Sequence, residues 1–248
     1  MKAMILAAGL GTRLRPLTDD RPKALVEIAG RTLLDITLSR LRAFGIREVI
    51  INVHHFAGMI LEYLKAHDNF AMRIAISREE VLLDTGGGLK QAGWFFLEHP
   101  NQQESFIFHN VDVISTIDLG RMVQFHLDNH ALATLAVKKR TASRYLLFDE
   151  QARLCGRRAA RDQRADQVLS AGTFEELGFS GIHVISPRLL AMMTEEGAFP
   201  IVSCYLRLAA QGEKVLAFRA DEYYWRDLGW PENVAQAAED LRAGKWQA

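Results

Sequence analysis

Hydrophobic positions fall into short continuous runs separated by longer amphipathic stretches. "AMILAA" (3–8), "EVIINV" (48–53), residues 72–77 and "ATLAVKK" (133–139) have strand length and few polar interruptions, as strands buried on both faces require. Between them apolar residues recur at helical spacing. "TLLDITLSRLRAF" (32–44) puts Leu34, Leu38 and Leu41 near one face and stops at Gly45. Residues 57–66 and "LGRMVQFHLDN" (119–129) predict further helices, and "GGLKQAGWFFL" (87–97) predicts one entered through a glycine run. "SFIFHNVDVIS" (105–115) reads as one strand with a polar end. This alternation predicts an α/β fold with a mainly parallel sheet covered on both faces.

The rhythm changes after residue 140. "RYLLFDEQARLCG" (144–156) predicts a hairpin, and the charged "RRAARDQRADQ" (157–167), which lacks an apolar period, an exposed loop or a flexible connection. "FSGIHVI" (179–185) predicts a strand. Ser186-Pro187 predicts a helix start with serine as its cap. "VLAFRA" and "YYWRDLG" read as two short strands, and "PENVAQAAEDLRAG" (231–244) as a closing helix begun by proline and ended by Gly244. No internal repeat and no dividing linker is visible, so residues 1–248 are expected to form one domain, with parts at about 1–140 and 141–248.

Composition narrows the partners. Thirty basic residues balance thirty acidic ones, so no net field draws the chain to nucleic acid or to an anionic membrane. No apolar run approaches the roughly 18 residues of a membrane span, and the start does not have the layout of a signal peptide. Cys155 and Cys204 stand far apart and in no metal spacing; they read as thiols of a reducing compartment, with the cytoplasm as the default. His54 and His55 are adjacent on a predicted strand end and point to opposite faces, which argues against a shared metal ion.

The opening "LAAGLGTRLRPLTDDRPKAL" is the richest stretch. Gly9 and Gly11 supply half of a dinucleotide fingerprint, but Leu14 stands where its third glycine belongs, and no Gly-Lys-Ser/Thr follows as an ATPase-type loop needs. What remains is a buried strand, a Gly-x-Gly turn, then Arg13, Arg15 and Lys23. Glycines let backbone N–H groups converge on an anion, and a triphosphate needs such donors and charge. The alternative is a plain strand-to-helix turn whose arginines face solvent.

The same stretch resembles the L-A-A-G-x-G-T-R-L-x-P-L-T…P-K-x-L signature of sugar-phosphate nucleotidyltransferases. The resemblance continues in order through "LDTGGGLKQA", "HNVDV", "FSGIHVISP" and "YWRDLGWPEN". The "TGGG" and "FSGI" forms are most similar to the compact bacterial branch that includes N-acetylmuramate 1-phosphate uridylyltransferases, with mannose- and heptose-1-phosphate guanylyltransferases as near relatives. The resemblance implies a Rossmann-like α/β fold: a mainly parallel mixed sheet flanked by helices, with a small sugar-binding β region. It implies transfer of a nucleotidyl group from an NTP to a sugar 1-phosphate, with release of pyrophosphate and use of Mg2+. The expected pairs are UTP with an N-acetylmuramate or hexosamine 1-phosphate, or GTP with mannose or heptose 1-phosphate, in a monomer or homodimer.

By the same resemblance Asp112 and Asp227 hold the metal, Arg13 contacts the triphosphate, and Lys23 stands near the α-phosphate. Ala8, Gly9, Gly11, Thr12, Thr85, Gly86 and Gly87 join Arg13 and Lys23 around the nucleotide, the glycines making room for the base; Asn110, Tyr145, Ser180 and Gly181 line the sugar site. Three departures stand out. Val111 replaces a usual Gly or Ala and is expected to crowd the sugar, the nucleotide or the metal-bearing turn; Trp230 replaces a usual Thr; "FDEQARLCG" occupies the region of an "EKP" lysine. The C-terminal extension of larger relatives has no counterpart. Competing readings are a nucleotide-sugar-binding regulator on the same scaffold and a phosphocholine-type cytidylyltransferase.

Overall fold

The computed structural model describes residues 1–98, 104–161, 165–168 (backbone) and 173–247. The first half holds β1 (Lys2–Leu6), β2 (Glu27–Ile28), β3 (Arg31–Thr32), α1 (Leu33–Ala43), β4 (Glu48–Val53), α2 (Ala57–Ala66), β5 (Arg73–Arg78) and α3 (Asp84–Ala92). Then come β6 (Phe106–Asn110), β7 (Val113–Ser115), α4 (Leu119–Asp128), β8 (Ala133–Lys138), β9 (Arg144–Phe148), β10 (Leu154–Ala159) and β11 (Ala165–Val168). The rest is β12 (Glu175–Ile185), α5 (Arg188–Ala191), α6 (Ile201–Ala210), β13 (Val215–Arg219), β14 (Trp225–Asp227) and α7 (Pro231–Arg242).

A ten-stranded sheet forms the centre, with β6, β1, β4 and β5 in parallel order on one side. β12 runs antiparallel to β6 and pairs along its length with β8, while its first residues pair with β9. The sheet is mixed, parallel across β6, β1, β4 and β5 and between β8 and β13, and this parallel part and its helical cover are as the alternation predicts. Strand alternation splits the core into two layers. Ala3 and Ile5 of β1 face α1, α2, α4 and α7 through Leu38, Ile60, Met122 and Val234. Met4 and Leu6 face the other way, toward α3 and α6 through Leu89, Tyr205 and Leu208.

Four local expectations need correction, and one helix lies where none was predicted. The predicted strand 105–115 breaks at Val111-Asp112, and its second part, β7, leaves the main sheet to pair with β14. The glycine run lies inside the first turns of α3 rather than ahead of it. Residues 157–159 continue β10, which pairs with β11, so the charged stretch is largely hairpin where it is described; residues 162–164 lie outside the described residues. Cross-strand pairing, which no local period reveals, decided that segment. Ser186 gives no side-chain cap, and the helix after it is the short α5. α6 was not anticipated, although Ile201, Cys204, Tyr205 and Leu208 recur at helical spacing behind Pro200.

Buried histidines tie helices to the sheet. His126 of α4 meets the Thr134 hydroxyl of β8 through Nδ1 at 3.0 Å. His183 of β12 meets the Tyr205 hydroxyl of α6 at 2.8 Å. Burial pushes His126 down to about 4 and His183 down to about 3, whereas an unfolded chain protonates histidine near 6.5. Between those values the unfolded state binds more protons, so stability falls as pH drops below about 6.5. The urea midpoint is expected to decline from pH 7 to pH 4.5, and less steeply in His126→Gln, which cannot titrate; an unchanged slope would exclude His126 as a contributor.

Candidate active site

The C-terminal ends of β1, β4, β5 and β6 converge on a cavity of about 150 Å3, where open α/β sheets bind ligands. A hydrogen-bond chain holds these ends together. Ala7 N–H donates to Asn52 Oδ1 at 2.8 Å, Asn52 Nδ2 donates to Glu79 Oε1 at 2.6 Å, and Leu83 N–H donates to Glu79 Oε2 at 3.0 Å. Asn52 and Glu79 are buried, and both line the cavity with Ala8, Gly9, Lys23, Leu82 and Thr85. Neither was singled out in the sequence, because an isolated Asn or Glu at a strand end has no distinguishing pattern.

A second lobe of about 130 Å3 lies beyond, lined by Arg13, Arg140, Phe179, Ser180, Gly181, Trp225 and Asp227. Asn110 and Asp112 line both lobes. They stand at the end of β6, where alternation sends Val111 the other way: it is 1% exposed and packs in the core. The expectation that Val111 crowds a ligand is therefore corrected. A register shift in β12 between Phe179 and His183 presents Ser180 and Gly181 to the second lobe. Gly181 has a φ of +74°, and a Cβ there would lie 3.0 Å from Asn110 Nδ2.

The β7–β14 ladder brings the two aspartates together. Asp227 pairs with Val113, and Leu228 N–H donates to Asp112 O at 2.8 Å. Lys23 Nζ donates to Asp112 Oδ2 at 2.9 Å. Burial works to raise the Asp112 carboxyl, but the Lys23 ammonium outweighs it and holds the group below the usual carboxylate value. Asp227 goes the other way: burial, and then the Asp112 charge, push it up, against a 2.8 Å hydrogen bond donated by Gly229 N–H. Arg13 sits close by. A Cβ on Gly229 would come within 2.7 Å of Arg13 Nη2, so glycine is what admits the guanidinium. The Trp230 ring, 48% exposed, lies 5.4 Å from Arg13 Cζ, so this departure gives the arginine an aromatic platform.

The remaining predicted residues divide. Gly11, with a φ of +68°, shapes the opening turn, and its carbonyl accepts from Leu14 N–H and the Thr18 hydroxyl, both at 2.8 Å. It and Thr12 are not among the lobe-lining residues. Arg15 is exposed and pairs with Asp19. His54 Nδ1 meets Glu79 O at 2.8 Å, and the His55 ring lies on Phe56. The Tyr145 hydroxyl accepts from Ala142 N–H at 3.2 Å, and Tyr145 lines neither lobe.

Thr85 lines the first lobe, but its hydroxyl accepts from Ile201 N–H at the start of α6. Gly86 and Gly87 both donate their N–H groups to Phe199 O. A Cβ on Gly86 would lie 2.3 Å from the Phe199 ring, one on Gly87 2.4 Å from Gly197 O, and one on Gly88 2.7 Å from Glu79 Oε1. In the direction a Cβ would take, the space beside these glycines is filled by protein.

The sequence model of the family described as Nucleotidyl transferase matches residues 2–151. An N-acetylmuramate alpha-1-phosphate uridylyltransferase of Caulobacter vibrioides is 36% identical over 97% of this chain and 96% of its own length. The chain belongs to the sugar-1-phosphate nucleotidyltransferase family. A mannose-1-phosphate guanylyltransferase of Mycobacterium tuberculosis is 30% identical over 98% of the chain but only 65% of its own length. HddC from Yersinia pseudotuberculosis, solved with GMP-PN, shares the fold at a TM-score of 0.75 and 22% identity, covering 97% of this enzyme and 99% of that chain. A Bacillus anthracis structure solved with a sucrose gives 0.79 at 15% identity, covering 98% and 95%.

The α3 glycines yield a test by sign. Alanine normally stabilises a helix over glycine, yet Gly87→Ala drives a Cβ against the Gly197 carbonyl and is expected to destabilise the enzyme by about 1–3 kcal/mol in urea unfolding. Gly58→Ala in α2, where a Cβ meets nothing within 4 Å, is expected to stabilise by roughly 0.4–1 kcal/mol. Equal effects at the two sites would refute the packing account.

Proposed function

We propose that the enzyme joins an NTP to a sugar 1-phosphate with Mg2+, releasing pyrophosphate. The observation that carries this reading is the meeting of Lys23, Asp112, Asp227 and Arg13 where two lobes share one wall. The NTP occupies the first lobe, with its base toward Glu79, Leu82 and Thr85 and its triphosphate along the Ala8–Arg13 turn. The sugar phosphate occupies the second lobe, against Ser180, Gly181 and Trp225.

Asp112 and Asp227 suit a hard divalent cation. They offer carboxylate oxygens to one lobe, and Asp227 is pushed up partly by the charge of Asp112, a repulsion that a cation relieves. Among the described residues no group of three or more His, Cys, Asp or Glu forms a complete cage. Two carboxylates plus substrate phosphates is the usual way Mg2+ is held. Bound there, the ion neutralises phosphate charge during transfer. The protein does the rest by position and charge. Lys23 offsets charge on the α-phosphate oxygens, Arg13 holds the phosphates that leave, and the shared wall aligns the attacking oxygen with phosphorus.

For the substrates we favour UTP with an N-acetylmuramate-type 1-phosphate, since the relative of that name aligns almost end to end. GTP with mannose 1-phosphate ranks second, on the guanylyltransferase similarity. We favour the cytoplasm, where nucleotides and phosphosugars are made. Val111, whose bulk near a ligand would favour a regulator without turnover, lies in the core, which supports the catalytic reading.

Pyrophosphate release with Mg2+, four NTPs and a panel of sugar 1-phosphates, plus CTP with phosphocholine, tests the reading. No turnover in any combination, or turnover confined to phosphocholine, would overturn it. Asp112→Asn and Asp227→Asn are each expected to lower kcat at least about 100-fold, and Arg13→Ala likewise, the scale of one lost transition-state contact. A change confined to KM would contradict these roles. Because the folded-state pKa of Asp227 is raised, its ionisation opposes folding increasingly as pH rises through that value. Asp227→Asn without metal at pH 7 is therefore expected to raise Tm while removing activity; a lower Tm would refute the repulsion.

A further inference from the structure

Arg140, just past β8, is held in the second lobe more firmly than any sequence pattern suggested. Its guanidinium carbon lies 4.2 Å from the centre of the Trp225 ring. Nη2 donates to Phe179 O at 2.7 Å and Nη1 to Thr141 O at 3.2 Å. The Trp225 indole N–H donates to Ser180 O at 2.8 Å, which fixes the aromatic platform. Gly178 makes the berth: a Cβ there would stand 2.9 Å from both Cζ and Nε of Arg140.

This held cation has no acidic partner of its own. Among the described residues it makes no ion pair, whereas the half-buried Arg207 and Arg226 sit against Glu195 and Asp240. Guanidinium carries five N–H donors, and carbonyls take only two of them. Two buried polar atoms of the same lobe lack partners: Arg140 Nε and the Ser180 hydroxyl, the latter on a residue 0% exposed. A positioned guanidinium and an idle hydroxyl lining one lobe, whose wall also carries Asp227, match a tetrahedral oxyanion better than a neutral sugar face.

We propose that Arg140, with Ser180, seats the phosphate of the acceptor. Two cationic stations then divide the substrates: Lys23 of the first lobe serves the nucleoside triphosphate together with Arg13, which reaches it from the second lobe, and Arg140 serves the phosphorylated sugar. Arg140 sets the preference for a phosphorylated acceptor. This rests on the proposed reaction, and the measurements separate the two.

Titration calorimetry on the full chain compares α-D-mannose 1-phosphate, N-acetylmuramate α-1-phosphate and α-D-glucose 1-phosphate with the same sugars lacking phosphate, and with UTP. The wild type is expected to bind at least one phosphorylated sugar tenfold or more above its parent sugar. Arg140→Ala is expected to lose about tenfold or more in that affinity, the scale of a charge-assisted hydrogen bond, with UTP affinity within twofold. Arg140→Lys recovers part of the loss. Gly178→Ala keeps the arginine but displaces its head and is expected to show the same selective loss. Unchanged phosphosugar affinity in Arg140→Ala, equal loss of UTP affinity, or no phosphate preference in the wild type would each overturn the assignment. Pyrophosphate release by the wild type with an unchanged acceptor KM in Arg140→Ala would overturn this inference and leave the reaction standing. Arg140-dependent phosphosugar binding without pyrophosphate release would do the reverse.

Discussion

The reversal at Asn110–Asp112 governs the rest of the site. Up to Asn110 the chain is an inner strand of the main sheet; from Val113 it belongs to a small ladder with β14. Alternation across the turn sends Val111 into the core and leaves Asn110 and Asp112 lining both lobes. The ladder then sets Asp227 beside Asp112, at the cost of two carboxylates sharing a half-buried space. Lys23 offsets part of that charge by pairing with Asp112 at 2.9 Å. A buried charge left without its partner is costly, so lysine and aspartate depend on each other whether or not a ligand is bound.

The glycines near the site serve this arrangement in a specific way. At Gly229 and Gly178 the missing Cβ is where an arginine head rests, Arg13 in one case and Arg140 in the other. In α3, three glycines let the helix press against residues 197–199 and the Glu79 carboxylate, so that α3, α6 and the β5 end form one wall. Small residues here admit protein atoms that shape the lobes.

Much of the fold was legible. Apolar runs at 3–8, 48–53 and 133–139 are strands because no other element buries both faces of so short a run. The order of glycine and charged segments pointed to the family, and the five segments lie on the walls around one cleft or on the helices behind it. The failures have a common cause. Residues 105–115 form one apolar run, yet the chain changes sheets in the middle. The charged 157–167 stretch lacks an apolar period, yet pairs across a hairpin where it is described. Asn52, Glu79 and Arg140 are single residues of common types, and only their neighbours make them part of a site.

The sequence alone determined the strand and helix alternation and the family. Those properties lie in local periodicity and in short ordered motifs. The tertiary structure decided that Asp112 and Asp227 meet, that Val111 turns away, that the glycines of α3 face protein, and that Arg140 stands without an acidic partner among the described residues. Each of these depends on contacts between segments far apart in the chain, and burial, charge and hydrogen bonding there are set by neighbours that no local pattern specifies.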